Sequence, residues 1–351
     1  MRRRALLLTL TGAGIVVTLV ACVLWAYWRH LDNQVYSQTA FLMGTSVELR
    51  VYGRNAQTAA ARVFDRLREI EAKMSANLPT SEISQVNAAA GQEWVRVSPD
   101  TLVVVKRALA YADLTDGRFN PAIGPLVALW GIGTERARVP LPAEIAQRLP
   151  LVDANSVLID ETRTSVYLTK PGMSLDLGGI AKGYGADEAA RILRELKVKG
   201  AFVNLGGNVY AVGSKPDGTP WRIGIQDPVQ PRGALLGVVE TGEGSLVTSG
   251  AYERCFVEDG RRYHHILDPR DGYPAESDIL SVTIVAASST DCDALSTSVF
   301  ILGTEAGLAL IERLEGFETI LVTKDKRVLV SSGLKERLQL RNEEYEIDET
   351  R

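Results

Sequence analysis

Asp293 and Thr297 stand four residues apart in "STDCDALSTSVFILG", residues 289–303. On a helix that spacing stacks a carboxylate and a hydroxyl on one face, as two oxygen ligands of a hard cation require. The same segment also reads as a helix start, with a capping side chain and an aspartate at the positive end of the helix dipole. A second chemical signal lies in "YHHILDPRDGYPA", residues 263–275, where His264 and His265 are the two histidines besides His30. Adjacent strand residues point to opposite faces, so at most one of them faces a given pocket.

The stretch "SLDLGGIAKGYGADEAARIL", residues 174–193, places glycines at 178, 179, 183 and 185 ahead of a helical pattern. A glycine-rich turn opening onto a helix can cradle phosphate, because the backbone approaches closely and the first helical N–H groups point at the anion. The spacing matches neither G-x-x-x-x-G-K-[ST], since Lys182 is followed by Gly183 and Tyr184, nor G-x-G-x-x-G. A plain structural turn therefore stands beside the phosphate reading. "NLGGNVYAVG" at 204–213 reads as a tight turn between strands.

The elements that must carry these residues follow from periodicity. "TSVELRVYG" alternates as a strand, with Val47, Leu49 and Val51 on one face. Between Asn55 and Met74, Val63, Leu67, Ile70 and Met74 recur at helical spacing. A second helix is expected from Pro99 or Asp100 to Thr115, with a capping serine in "SPD". The glycine- and proline-rich middle, residues 120–145, reads as an ordered loop with one helical turn. Helices are expected over about 185–196, 293–302 and 304–314, among short strands. The pattern predicts an α+β fold: one domain of mixed, mainly antiparallel sheet with helices, in one or two lobes.

Composition narrows the function. The chain carries 43 acidic and 39 basic residues for a net charge of -4. No basic cluster appears beyond the amino-terminal arginines, so no footprint for nucleic acid is present. "MRRR" precedes an uncharged run from Ala5 to Tyr27. That run exceeds the roughly 20 residues that span a bilayer, with Trp25, Tyr27 and Trp28 suited to the interface. "LVAC", Leu19–Cys22, also fits a lipobox whose cysteine is acylated, and both readings put the globular part on a membrane surface outside the cytoplasm, facing the periplasm or cell exterior. Residues 1–30 are thus a signal or anchor segment, 31–40 a linker, 41–333 the main domain and 334–351 a charged, solvated tail. Cys255 and Cys292 make no disulfide framework.

Taken in order, these segments resemble the FAD:protein FMN transferase family, also called ApbE. The likeness rests on "MGT" (43–45), "SEISQVN" (81–87), "DGRFNPAIGPLVALWG" (116–131), "DLGGIAKGYGAD" (176–187), "NLGGNV", "TSGAYER", "HHILDP" and "DALSTS". The resemblance implies that FAD binds with Mg2+, that its pyrophosphate is cleaved, and that FMN passes to a threonine or serine of an acceptor flavoprotein while AMP leaves. It also accounts for the lack of an internal nucleophile. The acceptor threonine would lie in a motif like S-[GA]-A-T, in a subunit of a membrane redox complex.

Carried onto this chain, the resemblance implies FAD contacts from Met43, Asn77, Arg118, Phe119, Asn120, Gly178, Tyr184 and Leu267, with Lys182 adding positive charge near the pyrophosphate. The Mg2+ ligands would be the Ala181 carbonyl, Asp293 and Thr297, with Ser296 adjacent. His265 would face the phosphates and Asp268 would brace its turn. Two departures stand out: Asn77 occupies a place where an aromatic residue often stacks on the flavin, and Asn120 one where aspartate is common. Two competing functions share these residues, an FAD pyrophosphatase giving FMN and AMP and a non-catalytic flavin carrier.

Overall fold

The computed structural model describes residues 18–23 and 34–348. Residues 18–23 are helical and exposed, and among the described residues no helix is long and apolar enough to cross a membrane. Most of the apolar run Ala5–Tyr27 lies outside the described residues.

The chain begins with the hairpin β1 (Val35–Leu42) and β2 (Thr45–Tyr52), then α1 (Ala56–Met74), α2 (Glu82–Ala88), β3 (Val95–Arg96), α3 (Pro99–Leu114), α4 (Gly124–Trp130) and α5 (Pro142–Arg148). There follow β4 (Val157–Asp160), β5 (Ser165–Leu168), α6 (Ala181–Glu195), β6 (Gly200–Leu205), β7 (Asn208–Gly213), β8 (Trp221–Gln226), β9 (Leu235–Thr241) and β10 (Gly244–Gly250). The last part holds β11 (Cys255–Glu258), β12 (Arg261–His264), β13 (Ile279–Ala286), α7 (Ser289–Leu302), α8 (Thr304–Glu312), β14 (Glu318–Thr323), β15 (Arg327–Val330), β16 (Leu338–Leu340) and β17 (Glu346–Ile347).

A nine-stranded sheet, ordered β1-β2-β6-β7-β10-β13-β14-β15-β17, forms the middle layer, and its pairs are antiparallel apart from β15 with β17. Alternation along each strand decides which layer each side chain joins. Val247, Val282, Ile284 and Leu321 pack into the core that holds α7, whereas Leu246, Val285, Ile320 and Val322 pack under the small sheet β16-β9-β8. At the other end, Val47, Leu49 and Val51 meet the apolar stripes of α1 and α6. Helices thus cover one face and a second sheet the other, which matches the expected α+β class.

Several boundaries differ from expectation. Residues 35–42 are not linker but the edge strand β1, in register with β2 from Val35↔Tyr52 to Leu42↔Thr45. An edge strand buries little on either face, so its pattern carries almost no hydrophobic signal. The charged tail is also built into the fold: Leu334, Leu338 and Tyr345 are buried under the small sheet, and the Tyr345 hydroxyl donates to the buried Asp227 at 3.0 Å. The charged neighbours mask three anchors. The middle segment holds two short helices, α4 and α5, rather than one turn. Ser98 is the residue before α3, yet its hydroxyl donates to the Glu82 carboxylate at 2.9 Å instead of capping.

Candidate active site

The site is built where the first turn of α6 crosses the first turns of α7. Gly183 makes the crossing possible: a Cβ there would lie 2.2 Å from the Ser289 carbonyl oxygen and 2.7 Å from the Thr290 Cα. The approach lets the Gly183 amide donate to Asp293 Oδ2 at 2.9 Å. Asp187, one turn further along α6, accepts from the Ser289 and Thr290 amides at 2.7 and 2.9 Å and so caps α7 from outside. Burial raises the Asp187 pKa above its ordinary value. The glycine-rich stretch is therefore primarily a helix-packing device.

Asp293 is buried, and the Lys182 ammonium donates to both its oxygens, at 2.9 and 3.1 Å, and to the Gly178 carbonyl at 3.0 Å. These groups form the floor of a cavity of about 530 Å3, within the range of small-molecule sites. Ala181, Thr297, Gly178, Gly179 and Asp176 share that floor. A Cβ at Gly179 would lie 3.5 Å from Thr297 Oγ1 and 3.1 Å from the Phe119 ring, so the glycine brings both α6 and the Phe119 segment against the α7 hydroxyl.

One wall comes from the hairpin turn between β1 and β2. Met43 and Gly44 both have positive φ, 53° and 68°, the signature of a type I′ turn. Positive φ strains a methionine, and the Glu71 carboxylate holds it by accepting from the Met43 amide at 2.7 Å. Across the cavity lies the segment 118–120. Phe119 is buried against Tyr111. Asn120 Oδ1 accepts from the Ala122 amide at 2.9 Å, a task an aspartate would perform equally well. Arg118 differs from its neighbours: its Nε and Nη1 are buried without a partner among the described residues, as is Nδ2 of Asn208, and both residues line the cavity. Buried donors are rarely left unpaired. Here the arrangement suits the oxygens of a phosphate or a flavin carbonyl.

The two histidines separate as strand geometry requires. His264 is buried against Phe300 with Nε2 facing the Ala275 carbonyl at 3.2 Å, and burial pushes its pKa down to about 4. His265 lines the cavity. Its Nδ1 lies 3.3 Å from the Arg254 carbonyl. A carbonyl can only accept, which assigns the proton to Nδ1 and leaves Nε2 with a lone pair. Burial, with the Arg254 charge nearby, pushes the His265 pKa down to about 3. The ring is therefore neutral at neutral pH, with Nε2 free to accept a hydrogen bond. Asp268, buried and held by Arg270 at 3.0 Å, braces the turn after Leu267.

Met43, Asn77, Arg118, Phe119, Asn120, Gly178, Ala181, Lys182, His265, Leu267, Asp293 and Thr297 all line this one cavity. Two expected contacts do not. Tyr184 points away, its hydroxyl donating to Asp100 at 2.8 Å beside Arg66, because the second position of a helical turn after Lys182 faces α3. Ser296 is wholly buried, paired with Ser249 at 2.8 Å, and it supports that cavity residue from behind. Asp291 is likewise remote, held by Arg107 through two bonds of 2.7 and 2.8 Å. Residues not assigned from the sequence include Asn208, Ser249 and Arg254, which lie in the quoted motifs "NLGGNV" and "TSGAYER", and Arg232, which lies in a loop outside every motif.

Among the described residues, no three His, Cys, Asp or Glu side chains gather as a metal cluster. A cation here would meet one carboxylate, a hydroxyl and backbone carbonyls. Those are hard oxygen donors, suited to Mg2+ and unlike a zinc set. The Lys182 ammonium, held among three oxygens, already shows that a cation fits.

A model of the ApbE family matches residues 43–321, the span that builds this floor and both walls. The chain belongs to the ApbE family. Among ApbE relatives, the FAD:protein FMN transferase of Klebsiella pneumoniae (strain 342) is 41% identical over 316 residues, covering 90% of this chain and 98% of its own. That of Treponema pallidum (strain Nichols) is 38% identical over 322 residues, covering 87% and 89%. The crystal structure of the ApbE protein from Thermotoga maritima superposes with a TM-score of 0.81 at 36% identity, over 87% of this chain and 99% of that one. The flavin transferase ApbE from Vibrio cholerae gives 0.78 at 30% identity, over 87% and 99%.

Proposed function

We propose that this chain is a flavin transferase that moves FMN from FAD to a threonine or serine hydroxyl of an acceptor flavoprotein, with Mg2+ bound and AMP released. The transferase class is that of its named relatives. The observation that carries the rest is the meeting, in one cavity, of a neutral His265, the Asp293–Thr297 oxygen pair and the unpartnered donors of Arg118 and Asn208.

In this reading the acceptor oxygen attacks the FMN-side phosphorus of the pyrophosphate. The new P–O bond forms as the bond to the AMP phosphate breaks, and AMP leaves with the bridging oxygen. His265 Nε2 takes the hydroxyl proton, a contribution typically worth about a hundred- to ten-thousand-fold. Asp293, Thr297 and the Ala181 carbonyl would hold Mg2+, which supplies neutralisation of phosphate charge during transfer. Arg118 and Asn208 orient the flavin nucleotide. The acceptor belongs to a membrane redox complex and presents its threonine in an S-[GA]-A-T-like motif. The uncharged run Ala5–Tyr27 supports a membrane tether, by a spanning anchor or by acylated Cys22, with the domain facing the periplasm or cell exterior.

The test incubates full-length protein in detergent with FAD, Mg2+ and a threonine-bearing acceptor, then weighs the acceptor. A gain of one FMN is expected. Turnover to FMN and AMP at a rate indifferent to acceptor would replace the proposal with a pyrophosphatase, and FAD left intact would replace it with a carrier.

A further inference from the structure

The cavity floor contains a cation of the protein's own. Lys182 Nζ sits between the Gly178 carbonyl at 3.0 Å and both oxygens of Asp293 at 2.9 and 3.1 Å. The Asp293 side chain is 3% exposed and that of Lys182 19%. Apart from Lys182, the Asp293 carboxylate receives only the Gly183 amide among the described contacts. A carboxylate this buried cannot be left uncompensated without a large destabilisation.

We propose that Lys182 is a built-in substitute for the divalent cation, neutralising Asp293 while the site is metal-free and swinging to the substrate's pyrophosphate when the metal arrives. The inference rests on the reading that Mg2+ binds at Asp293. Mg2+ needs oxygens at about 2.0–2.1 Å, and the Lys182 ammonium now engages both Asp293 oxygens, so a metal bound at that carboxylate competes with the lysine for at least one of them. The lysine has a flexible four-carbon stem, and it lines the cavity, so the ammonium has somewhere to go. Gly178 and Lys182 lie either side of the start of α6.

The consequence is a coupling between ligands. Metal binding alone must displace Lys182 into open cavity. A pyrophosphate that draws the ammonium off removes that competition, so metal and pyrophosphate each tighten the other by the same factor. The site would then fill with metal and FAD together, and an empty enzyme would hold little Mg2+.

The test measures Mg2+ binding to the full chain by calorimetry, with and without ADP as a soluble pyrophosphate, for wild type, Lys182→Met and Lys182→Gln. Wild type is expected to bind Mg2+ about tenfold more tightly with ADP, within the usual range for coupled sites. Both variants should bind Mg2+ alone about tenfold more tightly than wild type and show little further gain from ADP. Their metal-free melting temperatures should fall below that of wild type and rise more on adding Mg2+. Two variants are used so that poor folding of one leaves the comparison intact. Variants that bind Mg2+ no more tightly than wild type, with the ADP effect unchanged, overturn the exchange while leaving the metal reading standing. Wild type that binds no Mg2+ with or without ADP overturns both.

Discussion

On the cavity floor Asp293 has both oxygens engaged, by Lys182 and the Gly183 amide, whereas on the wall Arg118 leaves Nε and Nη1 buried with no partner among the described residues. The floor lies on the first turns of two packed helices, α6 and α7, tied by Asp187. The wall follows a left-handed turn at Asp116 and Gly117. The contrast separates two ways of preparing a site: the floor is complete before any ligand binds, while the wall keeps its donors unspent for one. Removing a floor residue should therefore damage both stability and chemistry, and removing a wall residue should cost ligand affinity alone.

Asp293→Ala gives the largest expected effect. It removes the charged ligand of the proposed cation, so acceptor flavinylation should fall at least about a thousandfold, and it takes the acceptor from the Gly183 amide, so stability should fall by about 1–3 kcal/mol. Asp291→Ala, two residues away but paired with Arg107 on the outer face, should leave transfer within a few-fold. Equal losses in the acceptor mass assay would erase the distinction between the two carboxylates.

Next comes His265→Gln, which keeps a polar side chain but no base. Its kcat should drop about a hundred- to ten-thousand-fold, with FAD affinity little changed. Because the wild-type ring titrates near 3 rather than 6.5, kcat/KM should show no histidine limb between pH 5 and 8. The sign for stability follows from the same shift. The folded ring binds its proton more weakly than the unfolded one, so its contribution is full above pH 6.5 and is lost as pH falls toward 3. His264, shifted to about 4, adds in the same direction. A melting temperature that stays flat from pH 7 to 4 would contradict both.

Arg118→Met tests the wall directly. Losing charge-assisted bonds should weaken FAD binding by roughly ten- to a hundredfold, from about 1.5–3 kcal/mol per such bond. The unliganded protein should melt close to wild type, because two buried N–H donors without a hydrogen-bond partner among the described residues are gone. A lower melting temperature would mean that the wall, like the floor, is held by protein contacts. The smallest effect belongs to Tyr184→Phe. It should cost about 1 kcal/mol for the bond to Asp100 and leave FAD affinity unaltered, whereas weakened FAD binding would return Tyr184 to the site.

Much of this was legible in the residues, but unevenly. Val47, Leu49 and Val51, or the stripe from Val63 to Met74, declare their elements because burial on one face imposes a period. Strand β1 and the tail strands were misread because edge position and surrounding charge hide the few side chains that anchor them. The site showed the same division. Asp293 and Thr297 announce a shared helix face, and the ordered motifs led to a family and through it to most of the cavity lining. Tyr184 and Ser296 belong to the same motifs but face away, since consecutive helical residues diverge by about 100° and a motif records adjacency rather than direction.

The sequence alone determined the periodic elements, the α+β class, the motif order and the chemical types available, because each depends on local pattern. Only the tertiary structure decided that Gly183 packs one helix against another, that Asp187 of α6 caps α7 and that the Lys182 ammonium bonds the buried Asp293. Those outcomes depend on distances between residues more than a hundred positions apart, and on the cost of burying a charge without a partner, which is fixed only once the chain has folded around it.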